Sequence, residues 1–68
     1  MSTDFYLDAN GNSIERFNEV EVPEPNDGDM HNHSFTGIVD DLKNGYVIIA
    51  DMDCNIYTME PERLEVLN

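Results

Sequence analysis

Hydrophobic and polar residues alternate with a period of two along much of the chain, a spacing typical of β-strands with one buried face. The stretch "EVEV" at 19–22 alternates acids with valines, and "SFTGIVD" at 34–40 places Phe35, Gly37 and Val39 on one face. Nowhere does the sequence show the i, i+3, i+4, i+7 spacing of a capped amphipathic helix. The pattern therefore predicts an all-β protein.

Residues typical of tight turns separate the candidate strands in the first part of this pattern. An Asn-Gly dipeptide at 10–11 lies between possible strands at 4–7 and 13–17, and a second one at 44–45 precedes the strand "YVIIAD" at 46–51. Both dipeptides favour the positive φ angles of a two-residue hairpin turn. We therefore expect hairpins at both places.

Shorter signals define the remaining elements. The stretch "DMDCN" at 51–55 predicts a turn, "IYTM" at 56–59 a strand, and "PERL" at 61–64 a single 3-10 turn that begins with proline. "LEVL" at 64–67 predicts a last strand. Prolines and clustered polar residues make 23–33 the longest predicted loop.

The length of 68 residues fits one small domain with a single hydrophobic core. We divide this domain, residues 1–68, into an N-terminal hairpin at 1–17 and a barrel core at 18–67. The face assignments predict that the buried side chains are Val20, Val22, Phe35, Val39, Val47, Ile49, Ile56, Tyr57, Met59, Leu64 and Val66.

Acidic residues dominate the charge of the chain. Fifteen Asp and Glu stand against three Lys and Arg, which gives a formal net charge of −12 and a pI near 4.1. Binding to nucleic acids and anionic membranes depends on cationic side chains that displace counterions from phosphates. We therefore expect no direct binding to nucleic acid and no binding to a membrane.

Cys54 is the single cysteine, so we expect no internal disulfide and no thiolate cluster for zinc. A free cysteine is typical of a reducing compartment. No apolar stretch approaches the roughly 18 residues that cross a bilayer, and the first residues lack the basic and apolar segments of a signal peptide. These features predict a soluble, cytoplasmic protein.

The second half of the sequence resembles a known group of folds. A glycine inside the strand after the long loop, "NGYV" leading into a central strand, an acidic turn and "PERLEV" at the end follow the order seen in SH3-like small barrels. The resemblance is to the KOW-like and Tudor-like kinds, covers residues 18–67, and extends to small proteins of bacteria and their phages. It implies an SH3-like barrel of five to six strands with one short 3-10 turn.

The resemblance also implies where ligands bind. Residues 23–33, 40–45 and 51–55 correspond to the first, second and third loops of such a barrel, and ligands usually contact the first two. KOW domains that bind nucleic acid carry basic residues, and this chain is acidic. The resemblance therefore implies the fold and a binding region, but it does not imply nucleic-acid binding.

The run "DGDMHNH" at 27–33 holds the candidate metal ligands of the chain. If its last residues are extended, His31 and His33 share a face and can bind a transition metal, with Asp29 as a third ligand. No cysteine assists, and nothing in the sequence marks partners that would orient the imidazoles. We favour a solvated loop, keep a metal-binding domain as an alternative, and predict no other cofactor.

No arrangement of residues predicts catalysis. The stretch 8–19 places acids and amides as in a calcium loop, but Ser13 occupies the sixth position, where the turn needs glycine. Cys54 lies among carboxylates that disfavour its thiolate, and the acid pairs at 40–41 and 51–53 lack a deep cleft in so small a domain. We predict no catalytic residues and no enzyme activity.

By elimination, the sequence favours a non-enzymatic protein-interaction module that is a monomer or a weak homodimer. It would bind through the loop 23–33 and the adjacent acidic and aromatic surface, and the expected contacts are Phe35, Tyr46, Asp40, Asp41 and Asp29. A rigid array of carboxylates also suits a nucleic-acid mimic that inhibits a basic DNA- or RNA-binding protein. A third interpretation is that the charge only keeps the domain soluble.

Overall fold

The computed structural model describes residues 6–29 and 31–67, which form one antiparallel sheet with the strand order β4-β3-β2-β1-β5. A 3-10 turn at Pro61–Arg63 precedes the last strand, and the described residues contain no α-helix. The all-β prediction is therefore confirmed. The strands are β1 (Glu19–Val22), β2 (Phe35–Lys43), β3 (Tyr46–Ala50), β4 (Ile56–Met59) and β5 (Glu65–Val66).

The sheet is open. Within the part of the chain that the structure describes, β4 pairs only with β3 and β5 only with β1, so each of these two strands leaves one side unpaired. The ladder has five strands and does not close into a barrel. The central strand β2 holds β1 on one side and β3 on the other.

β2 and β3 form a hairpin that turns at the predicted Asn-Gly pair. Asn44 has a φ of 56° and Gly45 a φ of 83°, and two consecutive positive values are typical of a type I′ turn. β2 continues as far as Lys43 and includes most of the segment 40–45. The expectation of a second loop at 40–45 is therefore wrong, because only its last two residues form a turn.

A β-bulge interrupts β2 just before this turn. Val39 pairs with Ile49, whereas Asp41, two residues further on, pairs with Ile48, so the residue between them is extra. A bulge of this kind changes which face the following side chains occupy. Val39 and Leu42 consequently both pack into the core although they are three positions apart.

The hydrophobic core lies on one face of the sheet and under the N-terminal segment. Tyr6, Phe35, Leu42 and Val66 are half-buried against it. The buried core side chains are Ile14, Val20, Val22, Val39, Val47, Ile49, Met59 and Leu64.

One core assignment is wrong and concerns the phase of β4. Ile56 is 57% exposed, whereas Met59 is buried and Tyr57 is half-buried. Successive side chains of a strand point to opposite faces, so Tyr57 and Met59 share the core face and Ile56 cannot. The prediction of Ile56 and Tyr57 together in the core conflicted with this rule.

The N-terminal hairpin is only partly formed in the structure. Leu7 and Ser13 make an isolated bridge, and the Asp8 amide donates to the Asn12 carbonyl at 2.8 Å. The expected strand at 13–17 is wrong beyond this bridge, because Phe17 has a φ of 74° and the chain turns there. Part of the expected strand at 4–7 lies outside the described residues.

Gly37 is required by a close approach between β2 and its neighbour. A Cβ at this position would lie 2.5 Å from Cγ2 of the buried Ile49 and 2.9 Å from the carbonyl oxygen of Ala50. Real Cβ atoms essentially never approach other atoms so closely. This agrees with the general role of a glycine inside a strand at a crowded site.

Candidate functional site

The first loop, residues 23–33, contains a buried histidine near its end. His31 is 6% exposed, and its Nε2 lies 2.8 Å from the carbonyl oxygen of Pro23 at the start of the same loop. Because a carbonyl oxygen only accepts, Nε2 carries the hydrogen, and the neutral ring then has a lone pair at Nδ1. This Nδ1 is buried and has no hydrogen-bond partner among the described residues.

Two further aromatic rings pack around His31. The ring centroid of His31 lies 5.6 Å from that of Phe35 and 6.1 Å from that of Tyr57, and both pairs are edge-to-face. The ring centroids of Phe35 and Tyr57 are 5.0 Å apart. Such distances and angles are the favoured ones for aromatic pairs. Phe35 begins β2, opposite Val22 of β1, and Tyr57 lies in β4, opposite Ile49 of β3, so the two rings come from strands that are not neighbours in the sheet.

The third turn, residues 51–55, is organised by one carboxylate. Asp51 Oδ1 accepts hydrogen bonds from the backbone N–H groups of Asp53 and Asn55, both at 2.9 Å. Asp51 Oδ2 accepts from the Asn55 side chain and from the Tyr57 hydroxyl, both at 3.2 Å. The turn is thereby fixed against the aromatic cluster.

These hydrogen bonds perturb both partners in the pair that joins the turn to β4. The backbone N–H of Asn55 is the main cause that holds the pKa of Asp51 below its ordinary value. Burial of the ring, followed by the hydrogen bond to Asp51, raises the pKa of Tyr57. Asp51 is therefore ionised with both oxygens occupied, and Tyr57 is a neutral donor at neutral pH.

A groove of about 530 Å³ lies between the end of the first loop and the third turn. Met52 is 95% exposed beside it, and the Asp53 side chain makes no hydrogen bond within the described part of the chain. No lysine or arginine lines the groove, so its charge is negative. We call it the aromatic groove, and its main lining residues are His31, Phe35, Asp51, Met52, Asp53 and Tyr57.

Asp29, one of the expected contacts, is part of an ion pair. The Arg63 guanidinium donates from Nη1 to Asp29 Oδ1 at 3.1 Å and from Nη2 to Oδ2 at 2.8 Å. These hydrogen bonds lower the pKa of Asp29 to about 2. The pair ties the first loop to the 3-10 turn beside a smaller pocket of about 220 Å³, which shares His31 and Tyr57 with the aromatic groove.

The structure does not bring the three expected metal ligands together. Asp29 is bound to Arg63, His31 Nε2 faces the Pro23 carbonyl, and His33 Nδ1 lies 2.9 Å from the carbonyl oxygen of Ser34. In residues 6–29 and 31–67, no group of three or more His, Cys, Asp or Glu side chains is arranged to hold a metal ion. His31 and His33 nevertheless both line the groove between the first loop and the third turn, whereas Asp29 does not.

The other expected contacts divide between two ends of the molecule. Phe35 lines the aromatic groove, whereas Asp40, Asp41 and Tyr46 lie near the turn of the β2–β3 hairpin. Asp40 lies five residues after Phe35 along β2, which corresponds to about 17 Å at roughly 3.3 Å per residue, and Tyr46 lies further away, opposite Lys43. One compact ligand therefore does not reach both groups.

Sequence reasoning missed the contribution of the third turn. The predicted contacts include neither Tyr57 nor the acids Asp51 and Asp53, all of which line the groove. A signal was present, because residues 8–12 and 51–55 both read Asp, any, Asn or Asp, any, Asn. An Asp followed at short range by such residues is typical of a side chain that accepts from its own turn.

Comparison with known proteins does not assign a function: no family model, no curated protein and no solved structure matches the chain. None of the described residues forms a helix of the length and hydrophobicity needed to cross a membrane. The function of the site therefore has to be argued from its geometry.

Proposed function

We propose that the protein is a non-enzymatic protein-interaction module and that the aromatic groove is its binding surface. The observation that carries this proposal is the combination of an almost fully exposed Met52 with the rings of Phe35 and Tyr57 in one groove. Methionine and aromatic residues are enriched at protein interfaces, where flexible thioethers adapt to a partner. A volume of about 530 Å³ lies within the range of known binding clefts.

An SH3-like fold is part of the proposal. It is supported by the strand order, by the 3-10 turn before the last strand and by the sequence resemblance over residues 18–67. In an SH3-like fold this groove would lie between the first and third loops, whereas the sequence resemblance implied a binding surface near the first and second loops.

The proposal includes no catalysis, for chemical reasons. Both oxygens of Asp51 are occupied by hydrogen bonds, so this carboxylate is not free to transfer protons. Cys54 is exposed in the same turn and is not among the residues that line the groove. A free and exposed cysteine also supports the expectation of a reducing, cytoplasmic environment.

The test compares the two ends of the molecule. The immobilised domain is exposed to lysate of the native cell or its host, and bound proteins are identified for the wild type, Met52→Ala and Tyr46→Ala. Both substitutions remove an exposed apolar side chain, and only Met52 lies beside the groove. We expect a partner that is lost with Met52→Ala and kept with Tyr46→Ala.

The reverse dependence would move the binding surface to the hairpin end and refute the assignment to the groove. Retention of every captured protein by both variants would refute it as well. Circular dichroism of each variant checks that the change in binding does not come from unfolding. Both side chains are exposed, so we expect wild-type spectra.

The net charge of −12 favours one competing function, a nucleic-acid mimic directed at a basic protein. A mimic binds through many carboxylates at once, so its affinity falls steeply with salt and DNA competes for the same partner. A partner held in the groove depends on Met52 and the rings, and binding persists at higher salt. Elution with rising salt in the same experiment distinguishes the two.

A further inference from the structure

The ring of His31, which lines the aromatic groove, carries one buried acceptor that no described residue pairs. His31 is held by its Nε2–H on the Pro23 carbonyl, and the two nitrogens of an imidazole point in widely different directions. The lone pair of Nδ1 therefore points away from Pro23, and the ring lines the groove. An unpaired polar atom is unfavourable when it is buried, so a ligand that donates to Nδ1 would gain from pairing it.

The remaining chemistry of the groove also favours a cationic donor. The carboxylate of Asp53 lines it and makes no hydrogen bond with the described residues, and the faces of Phe35 and Tyr57 carry the negative potential that attracts cations. No lysine or arginine among the described lining residues competes for these groups. An anionic or purely apolar ligand would leave the acceptors unpaired.

We propose that the aromatic groove binds a lysine or arginine side chain from an extended segment of the partner protein. The cation would lie over the ring of Tyr57 or Phe35, pair with the Asp53 carboxylate and donate toward His31 Nδ1. This inference rests on the proposed function, since it names the chemistry of the partner at the same site. With a volume of about 530 Å³, the groove has room for one such side chain with its flanking backbone.

The test uses three capped pentapeptides with valine at alternate positions and arginine, citrulline or glutamate between them. Citrulline keeps the shape of arginine without its charge. Each peptide is titrated into the ¹⁵N-labelled protein, and backbone amide shifts are recorded up to about 5 mM peptide so that millimolar affinity is detected. We expect that only the arginine peptide, and neither of the other two, shifts the backbone amide signals of residues 31–36 and 51–57.

Three outcomes overturn the inference, and they differ in what they say about the proposed function. Equal shifts with arginine and citrulline would show a groove that binds without recognising charge, and the interaction module would stand. Shifts spread evenly over the acidic surface, including the hairpin end, would indicate non-specific attraction. No shift with any peptide would refute the cation site, while dependence of a captured partner on Met52 would still support the module.

A matched pair of substitutions separates position from net charge. Asp53→Asn and Asp40→Asn each remove one exposed carboxylate, but only Asp53 lines the groove. An exposed ion pair is worth up to about 1 kcal/mol, so we expect Asp53→Asn to weaken arginine-peptide binding about 2- to 5-fold. Asp40→Asn is expected to change it clearly less, and an equal effect of the two would refute a local contact.

His31 can be observed directly, without substitution. Long-range ¹⁵N spectra report the protonation and hydrogen bonding of each ring nitrogen, so the Nδ1 signal shows whether the lone pair accepts a hydrogen bond. We expect the Nδ1 signal to move on addition of the arginine peptide, while Nε2, held by Pro23, stays constant. Groove shifts without any change at Nδ1 would refute the role of His31 as an acceptor.

Discussion

Substitution of Asp8 by asparagine is expected to destabilise the protein strongly, because this carboxylate connects the two ends of the chain. Asp8 is 4% exposed and accepts four hydrogen bonds. Its Oδ1 accepts from the backbone N–H groups of Asn10 and Asn12 at 2.9 and 2.7 Å. Its Oδ2 accepts from the Asn12 side chain at 3.3 Å and from the backbone N–H of Val66, in β5, at 2.8 Å.

The magnitude follows from the bond to Val66. In an Asp8→Asn variant, the amide nitrogen that replaces Oδ2 would face the Val66 N–H, and two donors cannot bond to each other. The loss of a charge-assisted hydrogen bond, with a donor left unpaired, costs about 2–3 kcal/mol. For a domain of this size, that corresponds to a fall in Tm of about 10–20 °C.

The third turn provides a matched control. Asp51 makes the same pattern within its own turn, with its fourth hydrogen bond from the Tyr57 hydroxyl instead of a distant backbone N–H. A hydroxyl both donates and accepts, so it can rotate and accept from the new amide in Asp51→Asn. We therefore expect a clearly smaller loss of stability at Asp51 than at Asp8.

The assay is urea unfolding followed by far-ultraviolet circular dichroism at 25 °C, with both variants beside the wild type. Burial raises the pKa of Asp8, but the N–H groups of Val66, Asn12 and Asn10 lower it more, so its net shift is downward from 3.8. Its contribution is then complete above about pH 4 and declines as the pH falls further. Equal losses at Asp8 and Asp51, or a gap between wild type and Asp8→Asn that does not narrow in acid, would refute this reasoning.

Three further predictions concern single side chains. Gly37→Ala is expected to lower the free energy of unfolding in urea by about 1–3 kcal/mol. Adding Ile49→Leu, which removes the Cγ2 methyl group that the new Cβ would meet at 2.5 Å, should recover part of this loss. If the losses of the two single variants simply add in the double variant, the clash is not the cause. Cys54→Gly is expected to raise stability by up to about 1 kcal/mol, because Cys54 has a φ of 66°, and a lower Tm would contradict this. Asp29→Asn is expected to lower the Tm by an amount that is constant above about pH 4 and shrinks toward pH 2, where about half of the wild-type Asp29 is itself protonated. A pH-independent difference in Tm would show that the ion pair with Arg63 is not the cause.

Elements that depend on local chemistry were predictable from the sequence. The Asn-Gly pair at 44–45 specifies a type I′ turn because asparagine and glycine tolerate positive φ, and the structure has that turn. Gly37 inside a strand predicts crowding, and the neighbouring Ile49 provides it. The Asp-based turns at 8–12 and 51–55 were also readable, since the same pattern of acid and amide positions occurs twice.

The aromatic groove was not predictable because it depends on long-range register. Phe35 and Tyr57 are far apart in sequence and meet only in the folded sheet, where Phe35 lies at the start of β2 and Tyr57 lies in β4 opposite Ile49 of β3. The bulge between Val39 and Asp41 also changes which side chains of β2 face the core, and no local signal marks it. The residues that form the groove can therefore be identified only from the three-dimensional structure.

The large negative charge combines roles that the sequence alone does not separate. Asp8, Asp29 and Asp51 have lowered pKa values because donors inside the protein bind them, so these carboxylates hold turns and loops in place. Asp53 has no such partner among the residues that the structure describes, and it lines the aromatic groove. Attraction of a basic partner from a distance depends on the total charge, to which every ionised acid contributes, whereas recognition at short range depends on where one carboxylate lies. Because Asp53→Asn and Asp40→Asn lower the total charge equally, a difference in binding between them measures position alone, and the same difference argues against a mimic in which the acids act collectively.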